Sequence, residues 1–542
     1  MLFNSYIFIF IFLPLTLFGF YTLNNRISYR SAIVWLVGAS FVFYGWWNPA
    51  YLILIISSIV FNFIAGFYLT KENKNQGKFS RRMVLILGIA TNLLILGYFK
   101  YANFFIDNLN LLIDTNIIFY EIILPLGISF FTFQQITYLV DAYRNEVMEY
   151  SLLKYCLFVT FFPQLIAGPI VHHKNMMPQF TKTLKLQVPS KNIVIGFAIF
   201  SLGLFKKVIL ADGIAAYSSP VFFAAESGVL LTIAEAWSGA LAYTFQLYFD
   251  FSGYSDMAVG LGRMFGIFLP INFISPYKSI SIVEFWRKWH ITLSAVIRDY
   301  IWDPISLTMT RYAINNKYNA TGLFILTIVI PVTFSFFWVG LWHGAGWTFV
   351  IFGLVHGFYI TTYNLWIKIK FKYPKIKLVK SRQLARMIGW SLTFISVVSS
   401  LILFRAETFS GALIFWKAMI GLHDISISEK LIGKFGFIEG WMTSNGFLFD
   451  GFYHNGIFSN NPYIGLVWIV ALMFISLCLP NVSQIVHKYH YKSKIYSSIV
   501  SQKKSLLIQW RPTFYWSIFI SLIFVISILG LTQVSEFLYF QF

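Results

Sequence analysis

Apolar stretches long enough to cross a lipid bilayer recur along this chain from end to end. They fall at Tyr51–Thr70, Met83–Tyr98, Leu323–Leu341, Trp347–Trp366, Ile388–Phe404, Tyr463–Leu479 and Pro512–Leu531. A helix crossing hydrocarbon needs about 20 mostly apolar residues, because its backbone polar groups must be satisfied within the segment. The mean hydropathy is +0.69 and only 11% of the residues are charged, against about 25% in ordinary soluble domains. A soluble chain of 542 residues would divide into domains with polar surfaces. The period-2 strands of about 10 residues that mark a membrane barrel are missing. The expected fold is all-α, a polytopic integral membrane protein.

The first segment, Met1–Phe20, has no basic leader and no small-x-small cleavage site before Tyr21. It reads as a retained membrane helix rather than a removed signal peptide. Cys156 and Cys478 each lie in an apolar run and read as packing residues, since structural zinc wants three or four clustered ligands. No Pro- or Ser-rich linker, low-complexity tract or visible repeat interrupts the chain, so one integral domain over residues 1–542 is expected. The lack of repeats also counts against the inverted-repeat transporter pattern.

The formal charge of +20 raises the question of nucleic acid, but its distribution argues otherwise. Lys71–Arg82 holds five Lys/Arg, Lys368–Arg386 eight and Lys488–Arg511 six. Such excess in short loops beside apolar helices marks the cytoplasmic side. Glu407–Asn461, with five acids and three bases, fits an outer-face loop, and the same counting puts both termini outside. Parity fails only between Lys100 and Lys191, because the basic segment Lys174–Lys191 would otherwise fall outside. One segment must dip in and return. Phe161–Val171, F-F-P-Q-L-I-A-G-P-I-V, is the best candidate, with Leu124–Phe131 a second place for a helix to break. Non-helical backbone at that depth requires surrounding protein or a water-filled cavity.

Within this apolar background two histidines stand out. His343 sits in W-V-G-L-W-H-G-A-G-W (Trp338–Trp347), between two spanning runs. An intramembrane histidine is costly and therefore a functional candidate, although one can also act as packing glue between helices. His290 lies in E-F-W-R-K-W-H-I-T-L-S-A-V-I-R-D-Y (Glu284–Tyr300). Read as a helix over Trp286–Tyr300, this segment places Arg287, Ser294 and Arg298 on one face with His290 within a turn. That face would line a cavity, or else belong to an amphipathic helix at the interface. Trp342 adjoins His343, and His356 follows thirteen residues later as a structural or supporting residue. Asp250, Asp256 and Arg263 lie in apolar sequence and need partners; Asp256 and Arg263, seven apart, could share a helix face. His172, His173, His423, His454, His487 and His490 read as solvated loop residues. Phosphate-loop, G-x-S-x-G, H-E-x-x-H and H-x-x-x-x-D signatures are all missing.

At these residues the chain resembles the membrane-bound O-acyltransferase (MBOAT) superfamily, and most closely its alginate O-acetylase-like branch, which also holds the lipoteichoic-acid D-alanyl transferase. The resemblance is carried by Tyr98–Phe105, Leu124–Asp141, Phe161–Val171, Tyr248–Leu261, Glu284–Ser294 and Leu341–Val350. It implies a ring of on the order of 11 or more transmembrane helices, with re-entrant segments, around a central tunnel. It makes His343 the essential histidine and His290 the second polar position; Arg298, Ser294, Arg287, Trp342, Asp256 and His356, read from their places in the sequence, are expected to bind substrate or support the site. Alginate acetylase-like members commonly carry P-L-G-G-N-R after R-D-Y, whereas Arg298–Arg311 reads R-D-Y-I-W-D-P-I-S-L-T-M-T-R. The acceptor is left open by that departure.

The chemistry suits these residues. Acyl transfer to a hydroxyl needs a base of near-neutral pKa, which histidine supplies, and donors for the developing oxyanion, from His290 or Arg298. No bound cofactor and no metal are called for; acetyl-CoA or another acyl thioester is the donor substrate. The expected partners are the bilayer, a cell-envelope polysaccharide and a periplasmic acetyltransferase, without nucleic acid, at a bacterial inner membrane. A transporter or channel would instead run through Asp250, Asp256, Arg263 and Arg298. A third reading is a non-catalytic subunit of a polysaccharide-secretion complex. The W-H-G-A-G-W segment and the lack of repeats favour the enzyme.

Overall fold

The computed structural model of the chain describes residues 1–70, 78–117, 120, 122–147, 151–180, 189–374, 379, 381–423, 425–426, 432, 434–444, 446–449, 451–453, 457–458, 460–490, 508–532 and 538. Much of the four basic segments (71–77, 181–188, 375–378 and 491–507), and His454 in the acidic one, lie outside the described residues. Among the described residues regular structure is helical apart from one two-residue parallel pairing, Ile425–Ser426 with Phe447–Leu448.

Among the described residues, seven helices are long and apolar enough to cross a membrane: Phe8–Arg26, Tyr51–Tyr68, Ser80–Ile113, Ser190–Glu226, Ala320–His343, Trp347–Lys372 and Arg382–Arg405. Shorter apolar helices follow at Phe409–Met419, Pro462–Cys478 and Phe514–Leu529. The chain is a multi-pass helical membrane protein. It divides into two compact units, one of Met1–Phe205, Ser252–Asn272 and Val482–Gln541, the other of Lys206–Phe251 and Phe273–Asn481.

In the first unit, phenylalanines from three parts of the sequence share one core. Phe12 meets Phe162 edge-on at 5.3 Å, and Phe43 lies 5.4 Å from the same ring. Inside the apolar layer, Asn62 and Asn92 exchange amide hydrogen bonds at 3.1 and 2.6 Å. Each buried amide thus satisfies the other, which joins the helices Tyr51–Tyr68 and Lys78–Leu96.

Both expected helix breaks occur. Helix Leu152–Thr160 ends at Phe161, Pro163 opens the single turn Phe162–Leu165, and the chain then runs without helix to His172. All of Phe161–Val171 is buried in protein, as irregular backbone in an apolar layer must be. The second break lies at Gly127, left-handed at φ +69°, immediately before helix Ile128–Tyr143. A Cβ there would come within 2.9 Å of the Leu165 carbonyl oxygen, so the two breaks pack directly on one another.

The second unit is built around helices Ala320–His343 and Trp347–Lys372. A Cβ on Gly340 would lie 2.3 Å from the Phe349 carbonyl oxygen, and one on Gly353 2.1 Å from that of Phe336. The two backbones touch where the glycines meet. Helix Ile233–Met264 starts with a reciprocal capping box: Thr232 N–H donates to the Glu235 carboxylate at 2.9 Å, and Glu235 N–H to the Thr232 hydroxyl at 3.1 Å.

The continuous helix expected over Trp286–Tyr300 does not form. Helix Ile282–Trp286 stops, His290 adopts a left-handed conformation (φ 44°, ψ 53°), and helix Ile291–Ile297 begins after it. Helix-forming carbonyls have been taken by other donors. Ile274 N–H donates to the Lys288 carbonyl at 3.0 Å, and the Ser294 hydroxyl donates to that of Trp286 at 3.2 Å. Trp289 meanwhile stacks on Phe285 at 5.5 Å and meets Phe273 edge-on at 5.0 Å. Tertiary packing overrides the local helical pattern.

Candidate active site

The break at His290 turns its imidazole fully into the second unit, with no exposed surface. Phe251 meets this ring edge-on at 4.8 Å, and Trp342 lies 6.0 Å away on another side. A left-handed β-carbon costs on the order of 1–3 kcal/mol, and such residues cluster at functional sites. His343 is the last residue of helix Ile330–His343, at the turn before Trp347–Lys372. It is 5% exposed and walled by Trp342 at 4.9 Å, Phe404 at 5.0 Å and Phe352 at 6.2 Å. Trp342 therefore contacts both imidazoles. A wall of aromatic rings keeps the dielectric low, where an imidazole acting on a developing charge has most effect.

His356 has a different environment. Trp286 donates its indole N–H to Nδ1 at 3.2 Å, while Nε2 lies 2.9 Å from the Ser400 hydroxyl. That hydroxyl donates its own proton to the Val397 carbonyl at 2.8 Å. His356 is thus the Nε2–H tautomer with both nitrogens engaged, an arrangement suited to holding helices together.

The residues expected on a polar face beside His290 differ in burial. Arg287 is exposed, and Arg298 is exposed and paired with its neighbour Asp299 at 2.9 Å. Ser294 is half-buried and engaged with the Trp286 carbonyl. The left-handed step at His290 rotates the following helix out of register with the preceding one. Asp256 is half-buried and belongs to the first unit, as does Arg263, whose guanidinium stacks over Phe268 at 4.4 Å.

Two clusters escaped the sequence reading. Asp250 has its partner in Lys207, whose ammonium lies 2.7 Å from carboxylate oxygens of both Asp250 and Asp212. Lys207 and Asp250 are 2% and 1% exposed. In the first unit His172 and His173, expected to be solvated, converge on Oδ2 of Asp141 at 2.8 and 3.3 Å. His173 and Asp141 are buried. The three side chains bring candidate metal-ligand atoms within 4.8 Å of one another. The Lys174 backbone N–H donates to Nδ1 of His172 at 3.3 Å, which leaves the proton on Nε2, pointed at Asp141. The ordering signal was Asp141 at the end of one helix with adjacent histidines after the break.

Comparison with known proteins matches this architecture. The model of the membrane-bound O-acyltransferase family fits residues 116–403, and the chain belongs to that family. It is an O-acyltransferase embedded in a membrane. It is 40% identical to a peptidoglycan O-acetyltransferase of Helicobacter pylori over 79% of this chain and 81% of that protein. It is 39% identical to a probable alginate O-acetylase of Pseudomonas aeruginosa, over 79% and 76% of the two chains. A teichoic acid D-alanyltransferase of Bacillus subtilis is 29% identical over 52% of this chain and 69% of its own.

Proposed function

We propose that this O-acyltransferase carries an acetyl group from a cytoplasmic thioester, acetyl-CoA, to hydroxyls of an extracytoplasmic cell-envelope glycan at a bacterial inner membrane. The observation that carries the reading is His343, a buried imidazole at the turn between two spanning helices, sharing Trp342 with His290. The relatives named above act on peptidoglycan, alginate or teichoic acid by their names, which supports a glycan-like acceptor. A tunnel joining the two faces and a periplasmic acetyltransferase partner complete the proposal.

In this mechanism His343 takes the proton of the acceptor hydroxyl as its oxygen attacks the thioester carbonyl. His290, as an N–H donor, stabilises the oxyanion of the tetrahedral intermediate. The C–S bond then breaks, and the thiolate leaves with the proton from the His343 imidazolium. The ester and free thiol account for all atoms.

The test is purified protein in sealed vesicles, with labelled acetyl-CoA on one side and a glycan acceptor enclosed on the other. Label should reach the enclosed acceptor as ester, and His343→Ala should lower the rate by about 10²–10⁴-fold, the contribution of one general base. Transfer only when donor and acceptor share a side would refute the cross-membrane reading. An active His343→Ala protein at equal level would refute the base.

A further inference from the structure

We propose that the buried Lys207–Asp250 ion pair positions His290; this rests on the reading of His343 and His290 as the reacting groups. Lys207 lies in the π-helical stretch Lys206–Ala211 of the spanning helix Ser190–Glu226. Its ammonium is 2.7 Å from Asp250 on helix Ile233–Met264 and 2.7 Å from Asp212 on its own helix. Removing an ammonium and a carboxylate from water costs several kcal/mol per ion before their attraction is counted. Stability alone is weak grounds for such a pair, since well-packed apolar residues often serve as well.

A sequence neighbour of this network faces the site. Phe251 follows Asp250 and sets its ring edge-on to His290 at 4.8 Å. Successive residues on a helix point about 100° apart, so fixing Asp250 against Lys207 fixes the rotation that aims Phe251 at His290. The adjacent pair Asp250–Phe251 thus connects the buried charges to a ring that orients His290. Lys207 and Asp250 are positioning residues, acting through Phe251.

The test compares Lys207→Met/Asp250→Asn, which removes the buried pair and leaves only the partly exposed Asp212 without its cation, with Lys207→Arg, which keeps the pair. Each is purified in detergent and assayed for thiol release from acetyl-CoA, with melting temperature measured in parallel. We expect the double variant to lose at least tenfold in kcat with KM changed less than threefold, while Lys207→Arg retains most turnover. A folded double variant with wild-type kcat overturns the proposal. Should the double variant fail to fold, Asp250→Glu decides. It keeps the charge but displaces it by one methylene, so lowered kcat at an unchanged melting temperature supports positioning, and unchanged kcat overturns it. Full activity in His343→Ala would instead overturn the reading of the site itself.

Discussion

The indole N–H of Trp286 and Nδ1 of His356, 70 residues apart in sequence, meet at 3.2 Å in the buried interior of the second unit. With Ser400 on the other nitrogen, this hydrogen bond joins three separate segments: Ile282–Trp286, Trp347–Lys372 and Arg382–Arg405.

His356→Ala should therefore act through folding. It strands the Trp286 N–H and a Ser400 hydroxyl contact, and each unsatisfied buried group costs about 1–3 kcal/mol. The melting temperature and membrane level should fall, while activity per folded molecule falls less than in His290→Ala. A stable, inactive His356→Ala protein beside a silent His290→Ala would show the two roles reversed.

Gly353→Ala tests how the turn carrying His343 is held. The added methyl would lie 2.1 Å from the Phe336 carbonyl oxygen and 2.9 Å from the Gly340 backbone nitrogen. Neither obstacle is the end of a flexible side chain, so the helices must part. Overpacking of this kind costs about 1–3 kcal/mol or more, and the displaced helix end is His343 itself. Thermal melts and ester formation should both decline; a variant of wild-type stability and activity would show that the helices separate without consequence.

His173 gives a pH-dependent term. Burial, with help from His172 and Lys174, pushes its pKa down to about 4, although Asp141 and the Glu146 backbone pull it upward. The folded state thus holds a neutral imidazole that the unfolded chain would protonate near its ordinary value of about 6.5. The resulting stability is present above pH 6.5 and is lost as the pH falls toward 4. Melting temperatures of the wild type should drop across that window more steeply than those of His173→Gln. Parallel curves for the two proteins would assign the acid sensitivity to other groups.

The spanning segments were legible because hydrocarbon leaves only one way to satisfy a backbone, and length plus apolarity suffice to see it. Helices such as Trp347–Lys372 and Arg382–Arg405 follow from composition, and the breaks at Gly127 and Phe161–Val171 from proline, glycine and charge parity. The conformation at His290 was not legible. Nothing local in R-K-W-H-I-T forbids a helix; the competing donors, Ile274 N–H and the Ser294 hydroxyl, come from tertiary packing. The partner of Asp250 was hidden for a similar reason, since Lys207 lies 43 positions earlier in a stretch that reads as ordinary apolar helix. Histidine adjacency misled in the opposite sense, as His172 and His173 are ordered by Asp141 rather than by water.

Orientation in the membrane offers the last test. Lys368–Arg386 carries eight Lys/Arg and Glu407–Asn461 five acids against three bases, and helix Arg382–Arg405 separates them. Retention of basic loops on the cytoplasmic side places Tyr373 inside and Phe437 outside. Both positions are accessible in the folded chain, at 50% and 94% exposure. With Cys156 and Cys478 first replaced, Tyr373→Cys and Phe437→Cys can be probed singly with a membrane-impermeant maleimide. Phe437→Cys should label on intact spheroplasts, and Tyr373→Cys only after permeabilisation. Labelling of Tyr373→Cys but not Phe437→Cys on sealed spheroplasts would invert the chain and reverse the direction of acyl transfer.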